Sequence, residues 1–280
     1  MRVTDALAEA RQLGLARLDA QVLLAHHLGR SRSWLLAHDD ESLEAALLDA
    51  YRHDARRRAQ GVPLAYLTGE REFHGLTLAV RPGVLVPRPE TELLVDWALD
   101  VLAGGLGGVE VPRVADLGTG SGAIALAVKR ACPRAEILAC DADATALEVT
   151  THNARRLGLA LEVLPGDWWA AVGDRGVHLA LSNPPYVAAD DPHLEALWAE
   201  PRHALASGPD GLVALRSLVH GASGHLEPEG WLLLEHGHDQ AAAVRRLLAE
   251  HGFVDVDTRR DLAGIERCTG GRWPFARPGP

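Results

Sequence analysis

Asn183-Pro184-Pro185-Tyr186 stands directly after the apolar run VHLAL (Val177–Leu181), and packing alone gives no reason for a buried strand to end in two prolines. Each proline fixes φ near about −65° and removes an N–H, and each holds its predecessor in an extended conformation. The loop is therefore stiff. It leaves two acceptors, the Asn183 side-chain oxygen and the Pro184 carbonyl, able to take both protons of one –NH₂ group. Such a group is planar and a poor nucleophile, because its lone pair is delocalised. Hydrogen bonds from both protons return electron density to nitrogen and fix the direction in which it faces. No strong base is required, and positioning and electrostatics would supply the rate. Tyr186 would pack against the flat target group; a rigid turn with a buried tyrosine is the plainer alternative. The clamp suits either an exocyclic amine of a nucleobase or a glutamine side chain.

A methyl donor is implied by a second group of residues. Asp116-Leu-Gly118-Thr119-Gly120-Ser121-Gly122 follows one apolar run and opens another with helical spacing. Glycines there let the backbone turn tightly and approach a ligand, and the amides at the helix start face whatever binds. The next strand ends in Asp141, whose carboxylate can accept both hydroxyls of a ribose. Gly118-x-Gly120-x-x-Ala123 also satisfies the looser nicotinamide fingerprint. Asp116 decides between the two: a carboxylate before the glycines repels a pyrophosphate but suits an ammonium group. S-adenosylmethionine, with an amino-acid tail, a ribose and no phosphate, is the expected cofactor, leaving S-adenosylhomocysteine as product. Asp167 could accept from the adenine amine, and Trp168 could stack on the ring or simply fill the core. No metal is expected; His236-x-His238 has ligand spacing but no third ligand nearby in sequence.

The elements that must position these residues follow from periodicity. The first sixty or so residues read as short amphipathic helices, with Thr4 or Asp5 capping the first, a short turn through SRSWLLAH opened by Ser31, and a longer helix ending near Gly61 whose Arg56–Arg58 run is a solvated last turn. A β-hairpin is expected around Gly75. From Glu92 onward strands and helices alternate, which predicts an α/β fold with a doubly wound, mainly parallel Rossmann-like sheet beside a small N-terminal helical domain. The expected organisation is a helical domain over 1–66, a hairpin linker over 67–86 and a catalytic domain over 87–280.

Composition limits the alternatives. The 280 residues suffice for a large domain and a small one, and no apolar run approaches the roughly 20 residues of a membrane span. The N-terminus carries charges throughout and lacks a signal-peptide core. A cytoplasmic protein is therefore expected, and a monomer; three cysteines, Cys132, Cys140 and Cys268, read as reduced thiols. The net charge of −10 argues against a strongly basic nucleic-acid binder and leaves a local basic patch open.

The ordered segments GVPLAYLTGEREFHGLTLAVRPGVLVPRPETE, DLGTGSGAIALA, GDWW, SNPPYV, EPRHALASGPDGL and LEHGHDQ resemble the HemK/PrmC family, which modifies the glutamine of the Gly-Gly-Gln motif in bacterial class I peptide-chain release factors. The likeness spans nearly the whole chain and is densest from about Gly61 to Gly211. It implies that Gly118–Gly122, Asp141, Trp168 and Asn183 contact the cofactor, that Asn183–Tyr186 hold the substrate glutamine, and that the helical domain helps to grip a release factor. Arg88 and Glu92 would line the substrate side, with salt bridging or helix capping as the alternative. The chain departs from the family at His236, where an aliphatic residue is expected, and in its closing segment DLAGIERCTGGRW. Two rivals remain: an amino-methyltransferase of DNA or RNA, and a non-catalytic cofactor-binding adaptor.

Overall fold

The computed structural model describes residues 1–274. They divide into two compact units, Met1–Glu70 with Ala196–Ala199, and Arg71–Glu195 with the chain from Glu200 onward.

The first unit contains α1 (Val3–Gln12), α2 (Arg17–Leu28), α3 (Arg32–Ala37), α4 (Ala45–Ala59) and α5 (Leu64–Thr68). Leu23, Leu24, Leu35 and Tyr51 form its apolar centre. Neither Thr4 nor Asp5 is the cap of α1: the helix starts one residue earlier, and Asp5 accepts the backbone N–H of Arg2 from inside the first turn. The expected turn after Ser31 is a helix, because the Ser31 hydroxyl accepts the Trp34 N–H and satisfies one of the free amides of the first turn. The arginine run is not wholly solvated, since Arg58 pairs with Asp19 of α2 at 2.7 Å.

The second unit begins with β1 (Glu70–Phe73) and β2 (Leu76–Ala79), which form a two-stranded sheet. His74 and Gly75 between them both have positive φ (48° and 73°), the twist that matches a two-residue hairpin turn. There follow α6 (Glu92–Ala103), β3 (Arg113–Leu117), α7 (Ala123–Ala131), β4 (Glu136–Asp141), α8 (Ala144–Leu157), β5 (Glu162–Pro165), α9 (Trp169–Val172) and β6 (Val177–Ser182). The chain continues through α10 (His193–Ala196), α11 (Val213–Ala222), β7 (Leu226–Glu235), α12 (Ala241–Glu250), β8 (Val254–Arg260) and β9 (Glu266–Trp273).

Seven strands form one sheet in the order β5-β4-β3-β6-β7-β9-β8, parallel through β7 and antiparallel where β9 joins. The central strands are largely apolar because helices cover both faces, with α6 and α7 on one and α11 and α12 on the other. The chain runs outward from β3 to β5 and then returns to β6 on the other side of β3. That reversal opens a crevice at the carboxyl ends of β3 and β6, where such sheets bind ligands. Gly118 and Asn183 each lie one residue past the end of those strands.

His236 is fully buried: Nδ1 meets the Gly237 carbonyl at 2.9 Å, and Nε2 meets the Thr269 hydroxyl at 2.7 Å. It ties the end of β7 to β9, and burial pushes its pKa down. No helix among the described residues is long and apolar enough to cross a membrane.

Candidate active site

The crevice holds a cavity of about 270 Å³. Its walls include Gly118, Thr119, Gly120, Ser121, Asp141, Asp167, Trp168, Asn183, Pro185 and Arg88, so three strand ends and the proline loop converge as expected from the sequence. Gly118, Gly120 and Gly122 all have positive φ, and a Cβ on Gly118 would stand 2.8 Å from the Trp168 ring. The loop is thus laid directly under the tryptophan.

Asp141 fixes this loop while keeping capacity for a ligand. Its Oδ2 accepts the Gly120 N–H at 2.9 Å and its Oδ1 accepts the Asp143 N–H at 2.9 Å. A carboxylate has about four lone-pair sites, so two remain for donors in the cavity. Burial pushes its pKa up, against the two amide bonds that hold it down. Asp143 beyond it caps α8 through Oδ1 and faces His203 at 3.4 Å with Oδ2.

Asp116 takes a different place from the one the sequence suggested. It is wholly buried and does not line the cavity. Oδ2 accepts the Thr119 hydroxyl at 2.7 Å and the Ala125 N–H at 3.1 Å, and Oδ1 has no hydrogen-bond partner among the described residues. Burial raises its pKa to about 7. The residue braces the glycine loop from beneath, so an ammonium group in the cavity would not meet it directly. Glu92 is also drawn away: its carboxylate accepts the N–H of His74 at 2.9 Å, supporting the hairpin turn. Arg88 does reach the cavity, ion-paired to the buried Glu200, which also accepts the Val86 N–H.

On the clamp side, Asn183 donates from Nδ2 to the Thr91 hydroxyl oxygen at 3.0 Å. That bond turns Oδ1 away from Thr91, and no described residue donates to it or to the Pro184 carbonyl. Tyr186 and Pro184 lie outside the cavity wall. The Tyr186 hydroxyl reaches Glu235 at 3.3 Å, and burial raises its pKa. The Tyr186 carbonyl accepts from Gln240 at 3.0 Å. Gly211 backs the same carbonyl so closely that a Cβ there would lie 2.2 Å from it. Val187 N–H bonds the Leu205 carbonyl and Ser207 N–H bonds the Val187 carbonyl, so the segment after the prolines is stitched to the chain at 205–207.

Sequence reasoning missed Thr91, Glu200, Glu235, Gln240 and Gly211 as working parts of the site. Each lies inside a segment that carried the family resemblance. In LEHGHDQ it is Glu235 and Gln240, and not the two histidines, that contact the residue after the prolines. The available signal was a carboxylate closing the apolar run WLLL, where a charge has no reason to be buried unless it is used.

Two family models match the chain: PrmC N-terminal domain over residues 1–69 and Methyltransferase small domain over residues 91–211. A release factor glutamine methyltransferase from Bordetella pertussis is 52% identical, covering 92% of this chain and 95% of the relative. One from Burkholderia pseudomallei is 50% identical and covers 93% of each chain. Among solved structures, a methyltransferase from Pyrococcus furiosus superposes with a TM-score of 0.53 at 16% identity, covering 72% of this chain and 90% of the other. That likeness concerns the fold.

Proposed function

This chain belongs to the release factor glutamine methyltransferase family, and from that premise we propose that it moves a methyl group from S-adenosylmethionine to the side-chain amide nitrogen of the Gly-Gly-Gln glutamine in class I release factors. The observation that carries this reading is the direction of Asn183. Its amide N–H₂ is engaged by Thr91, so its oxygen is the group left to meet a substrate –NH₂ beside the cavity.

The residues present fit the cofactor. Gly118, Gly120 and Gly122 put no Cβ in the way of a ligand, Asp141 has lone pairs free for the ribose hydroxyls, and Asp167 and Trp168 line the same cavity, where they would face the adenine. Bound there, S-adenosylmethionine supplies a methyl group activated by its sulfonium.

Asn183 Oδ1 and the Pro184 carbonyl then accept the two amide protons of the glutamine, which localises the lone pair on nitrogen and aims it. The substrate proton leaves to water after transfer, so no side chain of the clamp has to act as a strong base. Tyr186, held by Glu235 and Gln240, keeps the loop at the height the planar amide requires. Arg88, fixed by Glu200, lines the entry side. Asp116 acts through the loop it braces, and Glu92 through the hairpin. The helical segment 1–66 serves as the grip on the release factor, and 67–86 joins it to the catalytic part.

The test is to incubate the chain with methyl-labelled S-adenosylmethionine and, in parallel, an unmethylated release factor, DNA and RNA. Label in the release factor alone is expected. Label in nucleic acid and none in the release factor would overturn the substrate and leave the clamp standing.

A further inference from the structure

His236 spends both ring nitrogens inside the core, so the His-x-His spacing of the sequence makes no ligand pair. The fold makes one elsewhere. His220 stands in the last turn of α11, and His251, 31 residues on, directly follows α12. Their Nε2 atoms lie 3.3 Å apart, with the rings crossing at 66° and their centroids 4.3 Å apart. His220 is exposed, His251 is half-buried, and neither lines the cavity.

The other nitrogen of each ring is already committed. His220 Nδ1 meets the Arg216 carbonyl at 3.0 Å, and His251 Nδ1 meets the Leu247 carbonyl at 2.7 Å. A carbonyl only accepts, so each Nδ1 carries a proton and each neutral ring turns a bare Nε2 lone pair toward the other. Two lone pairs at that distance repel unless something positive lies between them. A shared proton would draw the nitrogens to about 2.9–3.0 Å, the usual length of a hydrogen bond from N–H. Two ligands on a tetrahedral zinc ion, each about 2.0–2.1 Å from the metal, stand about 3.3–3.4 Å apart. The observed spacing matches the ion. A backbone carbonyl on the far nitrogen is also how metal-bound histidines are held in tautomer and orientation. Arg216, one turn before His220, is drawn to Asp210 at 2.5 Å, so its charge is paired away from the two rings.

We propose that His220 and His251 form a surface site for a divalent transition-metal ion of the zinc type, which staples the end of α11 to the end of α12. Among the described residues no group of three or more histidine, cysteine or carboxylate side chains is placed to hold an ion. The two imidazoles are therefore the protein's ligands, and water completes the coordination. Imidazole suits zinc, copper and nickel, whereas magnesium and calcium prefer oxygen. The ion takes no part in methyl transfer, and the proposal does not depend on that reading. Its consequence is mechanical. The two helices pack against each other over one face of the sheet, and an ion that binds only this folded arrangement stabilises it by mass action.

The experiment uses the full chain, stripped of metal with a chelator that is then removed. Zinc chloride is titrated at pH 7.5 into the parent, His220→Gln, His251→Gln and the double variant, and the heat is recorded. The chain has 14 histidines, so the comparison with the variants sets the background: the parent should bind one zinc ion that all three lack. At zinc ten times above the Kd, the parent Tm should rise by about 3–5 °C. The variants should gain nothing at that concentration, and magnesium chloride should not replace zinc. In nitrogen-15 NMR of the imidazoles, the Nε2 signals of His220 and His251, identified by their loss in the variants, should move on adding zinc. Zinc binding that is equal in parent and variants would overturn the proposal. So would a metal-free parent more stable than both single variants at pH 6 and indifferent to zinc at pH 7.5, because that marks a proton shared between the rings.

Discussion

The two sides of the cavity are built in opposite ways. The cofactor side is made largely from backbone: Gly118, Gly120 and Gly122 are held by Asp116 from below and Asp141 from the flank, all within 26 residues or fewer of one another along β3 and β4. The clamp side is made from side chains gathered across the chain. Asn183 leans on Thr91, 92 residues away, and Tyr186 leans on Glu235, 49 residues away. A backbone loop tolerates substitution of its neighbours if the glycines stay, whereas a side-chain relay fails at any link. Binding and reaction should therefore be separable by mutation.

The sharpest separation comes from Asn183→Ala. It removes a direct preorganised contact, so methylation should fall by about 10²–10³, while isothermal titration finds S-adenosylmethionine affinity only modestly reduced. Turnover at the parent rate would end the clamp account.

Two glycines give the next contrast. In Gly118→Ala the new Cβ meets the Trp168 ring at 2.8 Å from a φ of +78°. Left-handed backbone costs a non-glycine residue about 1–2 kcal/mol, so cofactor Kd should rise about tenfold with the methyl-transfer step at saturation little changed. Gly211→Ala places its Cβ 2.2 Å from the Tyr186 carbonyl and must shift the proline loop. Its loss should appear in kcat with cofactor Kd near the parent value. Equal effects of both changes on Kd would erase the distinction between the two sides.

The smallest effect is on stability. The folded pKa of Glu235, about 7, lies above its ordinary 4.5, so between those values the folded chain holds a proton that the unfolded chain has lost. Stability from this group falls as pH rises through that window and changes no further above it. Glu235→Gln removes the dependence. Its Tm should exceed the parent's by a few degrees at pH 8 and match it at pH 4 in differential scanning calorimetry.

This asymmetry also governs what can be read without coordinates. The parallel strands were legible because both faces are covered and each appears as an apolar run, as in VADL and HLALS. The closing pair β8 and β9 was passed over: VDVDTRR alternates charges along an exposed edge, and ERCTGGRW carries glycines at 270 and 271 where a Cβ would strike Leu233 or Phe253. Gly118–Gly122 and Asp141 were legible because consecutive residues do the work. Asp116 was placed in the cavity by a charge argument that took no account of depth; it is buried below the loop, and its influence reaches the site through Thr119 and Ala125. Glu92 was misplaced because a neighbouring turn with a positive-φ residue claimed its carboxylate. Thr91 had no local pattern to reveal it and Glu235 showed only as a charge closing an apolar run, since their contacts exist only once β6 and β7 lie side by side and the 310 turn of Pro89–Thr91 meets them.

The central claim is tested most directly by localising the methyl group. An unmethylated class I release factor is treated with the chain and S-adenosylmethionine, digested, and its Gly-Gly-Gln peptide fragmented in the mass spectrometer, with Asn183→Ala run alongside. The account predicts one methyl on the glutamine side-chain nitrogen in the parent reaction and almost none with the variant. A methyl on any other residue, or the same yield from the variant, would contradict it.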